Sequence, residues 1–323
     1  MKHPFSFAFG LAVLASISLV SSASAVVSID YVSVGNAGNA ADTTGFGAVA
    51  YEYKIAKNET TIGQYAEFLN AVAKSDPYAL YSTSMTLSNI NGISRSGSSG
   101  SFSYLVNPGS ANKPITNVSW FDAARFCNWL QNGQGEGSTE TGAYTLNGAM
   151  SGIYTVNPDA QTWIPTEDEW YKAAYYDPTK DGTGGYWLYP TRSDAPGGNT
   201  VGNPNSANYY DGDYVGSGGS AFPKSNALTD VGAYGANSAS FYGTNDQGGN
   251  VHEQNDAIYS GKFRGSRGGS WADDLAMAAT SLSYGGSTGQ SSYSGFRVAS
   301  VPEPSCLVLT LLASGLMATR RKR

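Results

Sequence analysis

The sequence predicts an α+β domain with little regular secondary structure. Three short segments begin with helix-capping residues and repeat apolar residues at helical spacing, and two others alternate as strands do. The 40 glycines and 13 prolines among 323 residues favour loops and turns over long elements. No internal repeat and no interdomain linker is visible before Val301, so we expect residues 26–300 to form one compact domain.

Each predicted helix begins with a capping box, in which two side chains three positions apart each accept the backbone N–H of the other residue. The pairs are Thr61 with Gln64, Ser119 with Asp122, and Thr166 with Glu169. Apolar residues then recur every three or four positions. The pattern predicts three short amphipathic helices, each with one buried face.

The two predicted strands lie near opposite ends of the domain. YEYKIA at 51–56 and GFRVAS at 295–300 alternate large apolar residues with other residues. A strand at each end would bring the two ends of the domain together. Residues 94–101 and 177–219 lack helical periodicity and are predicted to be surface loops. Loops as long as the second are usually functional or ordered by an ion.

Both ends of the sequence have the features of processing signals. Residues 1–25 combine Lys2, an apolar stretch and an Ala-Ser-Ala site, the pattern of a secretory signal that signal peptidase removes. Residues 301–323 combine Pro-Glu-Pro, a short apolar run and four terminal cations, and together these resemble a PEP-CTERM sorting signal. A plain C-terminal membrane anchor is the alternative.

The sorting-signal resemblance implies a route for the protein. It implies that an exosortase processes the tail after transient anchoring in the inner membrane. The protein would then reside at the cell surface, or outside the cell, of a Gram-negative bacterium.

The charge pattern argues against nucleic acid as a partner. The formal net charge is −6, and basic residues cluster only at the C-terminus. Residues 26–301 alone carry −10, because the two ends hold five of the cations and one acid. An acidic exported domain suits divalent cations and neutral or basic ligands.

Six segments occur in an order that resembles the formylglycine-generating enzyme, or sulfatase-modifying factor, family. They are KNETTIGQYAEFLN, PITNVSWFDAARFCNWL, IPTEDEWYKAAYY, GTNDQGGNVHEQND, RGGSW and GFRVA. The resemblance covers most of residues 50–300 and implies a single domain akin to the C-type lectin-like fold. Members of the family include copper-dependent oxidases, which convert a sulfatase cysteine to formylglycine, and iron-dependent sulfoxide synthases.

The resemblance places the two copper cysteines of the oxidases three and eight residues after Ser270. This sequence has Asp273 and Ala278 there. Soft thiolates select monovalent copper, and a carboxylate and a methyl group cannot replace them. Cys127, the only cysteine of the domain, lies on the apolar face of the second predicted helix, where a packing role is expected. We therefore expect neither copper binding nor copper-thiolate oxidation.

His252 is the only histidine of residues 26–300, which excludes a multi-histidine iron site within the domain. A lone imidazole beside Glu253 is expected to be a structural hydrogen-bonding residue, with a general-base role as the alternative. One histidine also leaves a Ser-His-Asp arrangement open.

The resemblance also implies calcium. In the family, the segment that matches DQGGNVHE holds a calcium ion, which here would be bound by Asp246, the carbonyls of Gly249 and Val251, and Glu253. Calcium takes six to eight oxygen ligands in flexible geometry, which suits this turn. A tight turn capped by Asp246 is the alternative. A second, looser match places calcium at the Asn208 side chain and the Tyr209 carbonyl, with Asp211 or Asp213 nearby.

These observations predict an exported, calcium-stabilised binding module rather than an enzyme. We expect the ligand, a glycan or an envelope or matrix protein, at the surface around Trp271, Asp273 and Asp274 and the aromatic loops, although Trp271 also has the features of a core residue. The alternatives are an oxidase or accessory factor in the maturation of sulfatase cysteines to formylglycine, and a purely structural role in a matrix.

Overall fold

A computed structural model describes residues 26–274, 283–286 and 289–302, with the backbone alone for 283–286. The predicted signal peptide and nearly all of the predicted sorting tail lie outside the described residues. Within the described ranges, no helix combines the length and apolar character needed to span a membrane.

The three predicted helices are confirmed, and each begins at the predicted cap. They are α1 (Ile62–Val72), α2 (Trp120–Gln131) and α3 (Glu167–Tyr175). All three capping boxes form; in the second, the Ser119 N–H donates to Asp122 Oδ2 at 2.7 Å and the Asp122 N–H donates to Ser119 Oγ at 3.2 Å. Three short 3-10 helices, Thr83–Thr86, Lys180–Gly182 and Ala236–Ser238, lie in the loops.

The strands of the described residues are short, and most belong to two four-stranded sheets. In chain order they are β1 (Tyr31–Val34), β2 (Tyr53–Ala56), β3 (Ile93–Ser96), β4 (Ser103–Val106), β5 (Thr162–Trp163), β6 (Tyr176–Asp177), β7 (Gly185–Tyr186), β8 (His252–Tyr259), β9 (Phe263–Arg267), β10 (Ser283–Gly286), β11 (Ser294–Gly295) and β12 (Ala299–Ser300). The sheets have the strand orders β1-β2-β12-β5 and β10-β9-β8-β11, and β3-β4 and β6-β7 are separate pairs.

The predicted approach of the two ends of the domain is confirmed. The last strand, β12, inserts between β2 and β5, so that Ala299 pairs with Ile55 on one side and Trp163 on the other. The predicted strand at 295–300 is divided, because Gly295 pairs in parallel with β8 of the second sheet. The residues between cross from one sheet to the other.

The prediction of a surface loop at 94–101 was wrong in part. Residues 94–96 belong to β3, which pairs with β4 in a hairpin whose register runs from Ile93 opposite Val106 to Ser96 opposite Ser103. Only the turn between these strands is irregular. Serine-rich sequence concealed the strand, since the alternation of large apolar residues that marks a strand is weak there.

The main core lies between α1, α2 and the chain that leads into β12. Aromatic rings of the two helices contact one another: Phe68 meets Phe126 edge-to-face and Trp129 at a tilt, and Tyr65 stacks on Phe126. Phe296 closes the cluster against Phe126, with ring centroids 5.4 Å apart. In the second sheet, β8 begins with His252 and Glu253, and the turn after β9 carries Ser270, Trp271 and Asp273.

Candidate functional site

Asp273, His252 and Ser270 meet at one end of the second sheet. His252 is the first residue of β8, and Ser270 follows β9 after two glycines in the left-handed conformation, Gly268 and Gly269. A Cβ atom at Gly268 would lie 2.8 Å from the Gln247 carbonyl oxygen, so this turn requires glycine. The turn carries Asp273 back towards His252.

The Asp273 carboxylate accepts two hydrogen bonds through one oxygen. His252 Nε2 lies 2.8 Å from Oδ2, and Ser270 Oγ donates to the same atom at 2.5 Å. Burial alone would raise the pKa of Asp273, but the hydrogen bonds and the attraction of His252 outweigh it and lower the pKa. The side chain is 40% exposed, whereas His252 is 17% exposed. The carboxylate is therefore held in place and still reaches solvent.

This arrangement does not activate a serine nucleophile. In a Ser-His-Asp triad the imidazole lies between the hydroxyl and the carboxylate and takes the proton of the hydroxyl. Here the carboxylate lies between, and Ser270 donates directly to Asp273. The structural role expected for His252 agrees with this order of contacts. Its Nδ1 is buried and has no hydrogen-bond partner in the described part of the chain.

Trp271 lies beneath the site rather than on its surface. It is 1% exposed, and its Nε1 donates to the Ser292 carbonyl at 3.1 Å. Phe222 covers it with ring centroids 5.1 Å apart and is itself 50% exposed, and Tyr293 packs on it at 5.2 Å. Trp271 thus supports the exposed ring of Phe222 and the half-buried ring of Tyr293, and Asp274 beside the site is exposed.

Ala278, the second position at which the resemblance places a copper cysteine of the oxidases, lies outside the described residues. Cys127 is fully buried on α2, and burial raises the pKa of its thiol far above the ordinary range. A thiol that stays protonated is a poor nucleophile and a poor metal ligand. The packing role expected for Cys127 agrees with these surroundings.

The Glu253 carboxylate accepts hydrogen bonds from Arg297 and Trp170. Arg297 donates to both of its oxygens, at 2.5 and 2.6 Å, and Trp170 Nε1 donates at 2.7 Å. Glu253 and Arg297 have no solvent exposure. Both oxygens of Glu253 are thus already bound by donors, two at Oε2 and one at Oε1.

Asp246, the other carboxylate of the first predicted calcium site, is buried close to this pair. It accepts the Gly232 N–H, and burial raises the pKa of its carboxyl to about 6. A third buried acid, Glu59, was not predicted from the sequence. It accepts from the Val251 N–H and the Asn250 side chain. Burial, together with the charges of Asp246 and Glu253, raises the pKa of Glu59.

Only a weak signal could have identified Glu59, namely an acid in the segment KNETT directly before the first predicted helix. The described residues contain no group of three or more His, Cys, Asp or Glu side chains placed to hold a metal ion. Asp246 and Glu253, the two carboxylates of the first predicted calcium site, lie with Glu59 in a buried network around Arg297, and calcium binding there stays a prediction.

The second predicted calcium site has an oxygen without a partner. Asn208 is 2% exposed, and its Nδ2 donates to the Ala227 carbonyl and to Asn250 Oδ1, both at 3.0 Å. These two acceptors fix the orientation of the amide, which leaves Oδ1 buried without a hydrogen-bond partner among the described residues. An amide oxygen in this state fits a hard cation.

Two further oxygens named for the second predicted calcium site belong to the same loop. The carbonyl of Tyr209 and the carboxylate of Asp213 both accept from Asn199 Nδ2, at 3.4 and 2.8 Å. Asn199 therefore hydrogen-bonds to both the Tyr209 and the Asp213 oxygens, which were named as calcium ligands or neighbours from the sequence.

Solved structures share this architecture. The crystal structure of CarF superimposes with a TM-score of 0.54 at 21% identity, over 86% of this chain and all of that chain. Treponema denticola variable protein 1 superimposes with a TM-score of 0.53 at 18% identity, over 87% of this chain and 98% of that chain. At these identities the similarity shows the fold alone. No curated protein matches the sequence significantly.

An α+β domain with short helices, small sheets and a Gly-Gly-Ser-aromatic turn beside its second sheet is the architecture expected of sulfatase-modifying factors. The family model of the sulfatase-modifying factor enzyme 1-like domain matches residues 34–301, and the chain belongs to that family. The family prediction made from the sequence is confirmed.

Proposed function

We propose that this protein is an exported, cell-surface binding module whose sulfatase-modifying-factor domain does not carry out the oxidation of cysteine. The observation that carries the proposal is Asp273, which stands where the resemblance places a copper-binding cysteine. Its carboxylate is held by His252 and Ser270. A hard oxygen ligand already bound to two donors is a poor substitute for a soft thiolate.

The proposed binding surface combines charge with aromatic area. Asp273 and Asp274 lie next to an aromatic patch formed by Tyr210, Tyr214 and Phe222 over the buried Trp271. Tyr210 is tied to the site directly, because its N–H donates to the Asp273 carbonyl at 2.8 Å. Aromatic rings and carboxylates on rigid turns recognise a glycan or a protein at low entropic cost.

Calcium is proposed as a stabilising ion at the Asn208 oxygen. When bound there, it would join the Asn208 side chain and the Tyr209 carbonyl, with Asp213 at hand, and would hold loop 177–219 to the turn at Asn250. Its contribution would be to the stability of the loop.

Export is proposed from the two ends of the sequence. Residues 1–25 would be removed by signal peptidase, and residues 301–323 would pass through an exosortase after transient anchoring in the inner membrane. Mass spectrometry of the protein recovered from its producing cell would test this, and a mature form that retains Met1 would contradict it.

The decisive test of the non-catalytic proposal is metal content together with turnover. Purified protein is loaded with copper(I), passed through a weak chelator and offered a sulfatase peptide that contains the target cysteine. We expect no retained copper and no formylglycine by mass spectrometry. Retained copper with turnover would establish the alternative, an oxidase with a different ligand set. Turnover by a sulfatase-modifying enzyme that rises only when this protein is added would establish an accessory factor.

A further inference from the structure

The two ends of the domain meet at the C-terminal end of α2. The Val27 N–H donates to Gln134 Oε1 at 2.6 Å, and Gln134 Nε2 donates to the Val27 carbonyl at 2.8 Å. Gln131, the last residue of α2, accepts the Gln161 N–H at 3.0 Å, and the Gln161 carbonyl accepts the Val301 N–H at 3.2 Å. We call the surface formed by these five residues the terminal face. Both ends of the described domain therefore leave it at the same face.

The start of α2 lies beside the Asp273 surface. The Asn117 N–H, just before the helix, donates to the Ser291 carbonyl at 2.8 Å. Two residues further on, the Tyr293 carbonyl accepts the His252 N–H at 2.7 Å, and the Tyr293 ring packs on Trp271. The 12 residues of α2 span about 18 Å. The Asp273 surface and the terminal face thus lie near opposite ends of this helix.

The segment that leads to Val301 follows the same course as α2. It begins beside His252, since Ser294 of β11 pairs with His252. In its middle, Phe296 packs against Phe126 of α2, and at its end Ser300 Oγ donates to the Gln161 carbonyl at 2.8 Å. Two elements that cross the domain side by side therefore give the same separation between the two surfaces.

The predicted tail would keep the terminal face close to the membrane that holds it. Residues 303–305 alone separate Pro302 from the apolar run at 306–318. Four residue steps span at most about 14 Å, and the headgroup layer of a bilayer is about 5–8 Å thick. An embedded apolar run would thus hold the terminal face within about 10 Å of the headgroups. Before signal peptidase acts, residues 1–25 would attach the chain at the same face.

The charges beside the terminal face are largely compensated. Asp30 lies 4.0 Å from Lys57, and Glu136 lies 2.6 Å from Lys74. Asp159, close to Gln161 in the sequence, is exposed and adds one negative charge. A surface of this kind can approach anionic headgroups with little repulsion.

The opposite end of α2 is more acidic. The exposed side chains of Asp211 and Asp274 and the 40% exposed carboxylate of Asp273 belong to it, and the Tyr210 N–H ties the two segments together through the Asp273 carbonyl. Anionic lipids repel such a cluster. Both the length of the linker and the charge distribution therefore favour one orientation of the domain.

We propose that the terminal face is a membrane-facing surface. While the tail is anchored, this face rests on the lipid headgroups and the Asp273 surface points away from the bilayer. The inference rests on the export and anchoring proposed above and adds the orientation of the domain. Its consequence is that a ligand can reach the Asp273 surface before the tail is cut, because the bilayer does not cover that surface.

The test measures the distance of each end of α2 from the headgroups. The full chain is purified from the inner membrane of a bacterial host that lacks an exosortase. It is then placed in vesicles of phosphatidylethanolamine and phosphatidylglycerol that contain a lipid with a nitroxide on its headgroup. A fluorophore is attached to one introduced cysteine in a Cys306→Ser background, where Cys127 is buried and does not react. The nitroxide quenches only fluorophores that lie close to it.

Gln161→Cys reports on the terminal face, and Gln290→Cys is the matched control at the other end of α2. Both glutamines are exposed, and Gln290 donates to Asp122 in the first turn of the helix. We expect quenching at position 161 to be several times stronger than at position 290. Inserting about 20 Gly and Ser residues after Pro302 adds roughly 25 Å of flexible reach and should reduce the quenching at 161.

Two kinds of failure can be told apart. Absence of the full chain from the membrane fraction would refute the proposed anchoring, and the orientation with it. A chain that stays in the membrane but is quenched equally at both positions, or more strongly at 290, would refute the orientation alone. Quenching at 161 that the insertion leaves unchanged would also contradict the proposal, because the short linker would then not be what holds the face to the bilayer.

Discussion

Arg297 is the centre of one of the buried networks of charged residues in the domain. Its guanidinium pairs with both oxygens of Glu253 and also donates to the carbonyls of Ala56, Lys57 and Asn245. The segment that carries Arg297 is thereby joined to β2 and to the turn before β8. Removing one partner of such a pair leaves an uncompensated charge in a place that water does not reach.

We expect Arg297→Met to lower the free energy of unfolding by about 3–5 kcal/mol, because Glu253 is left without its counter-charge. Urea unfolding followed by circular dichroism measures the change. Lys74→Met is the control, since Lys74 and Glu136 form an exposed pair at 2.6 Å, and it should change the free energy of unfolding far less. Similar losses in the two variants would show that the Glu253–Arg297 pair is not specially important.

Asp122 gives the domain a defined response to pH. Burial raises the pKa of this carboxyl to about 6, although the hydrogen bonds from Ser119 and Gln290 oppose the shift. The folded protein therefore holds the proton more tightly than the unfolded chain does, so this group adds stability as the pH falls from about 7 to about 4. The full contribution is at most about 3 kcal/mol.

Asp122→Asn tests this response, because asparagine keeps an oxygen for the Ser119 N–H and cannot titrate. The expected result is a free energy of unfolding that depends less on pH between about 4 and 7 than in the wild type. Urea unfolding at several pH values measures it. Parallel pH profiles in variant and wild type would contradict the assignment.

Residue-level prediction from the sequence succeeded where the interaction is local. Thr61 and Gln64, three positions apart, form the expected box, since a capping box needs only the geometry of one helical turn. The contact between His252 and Asp273 was not predicted, because it depends on the pairing of β8 with β9 and on the glycine turn that follows. The neighbours of Glu59 are also distant in sequence, and no periodic pattern marks them.

At the scale of elements, the predicted helices match the structure, while strands and loops match less well. A helix is defined by its own sequence pattern, whereas a strand of two to four residues is defined by a partner elsewhere. The hairpin of β3 and β4 shows this: β3 carries one large apolar residue, Ile93, and forms as a strand by pairing with β4. Loop 177–219 was identified correctly in the main, although it contains β7 and the end of β6.

Loop 177–219 also provides the test of calcium. If calcium binds at Asn208 Oδ1, adding millimolar calcium to chelator-treated protein should raise the melting temperature by several degrees. Asn208→Ala should abolish that rise, and Asn203→Ala, an exposed change in the same loop, should leave it intact. Differential scanning calorimetry measures the shift. A rise that persists in Asn208→Ala but disappears in Asp246→Asn would place the ion at the first predicted site instead.

At the scale of the whole molecule, the order of the six segments predicted the family. Segments that are distant in the sequence contact one another in the fold, so their order along the chain is characteristic of that fold. The last of them, GFRVA, shows how the end of the domain packs against its earlier elements. Phe296 and Val298 are fully buried in the main core, Arg297 neutralises Glu253, and β12 pairs with two strands at once. Residues 295–300 thus contribute to the core, to the charge network and to both four-stranded sheets.

This closure predicts a sharp boundary for the folded domain. A chain that begins at Val26 and ends after Pro302 should unfold in one cooperative transition, because it keeps β12 and every contact of Arg297. A chain that ends after Gly295 loses those contacts and should be unfolded, with no cooperative thermal transition by circular dichroism and rapid digestion by trypsin. The shorter chain would contradict this account if it melted cooperatively near the temperature of the longer one. The longer chain is equally informative, since a failure to fold would mean that residues 303–323 contribute to the domain rather than follow it.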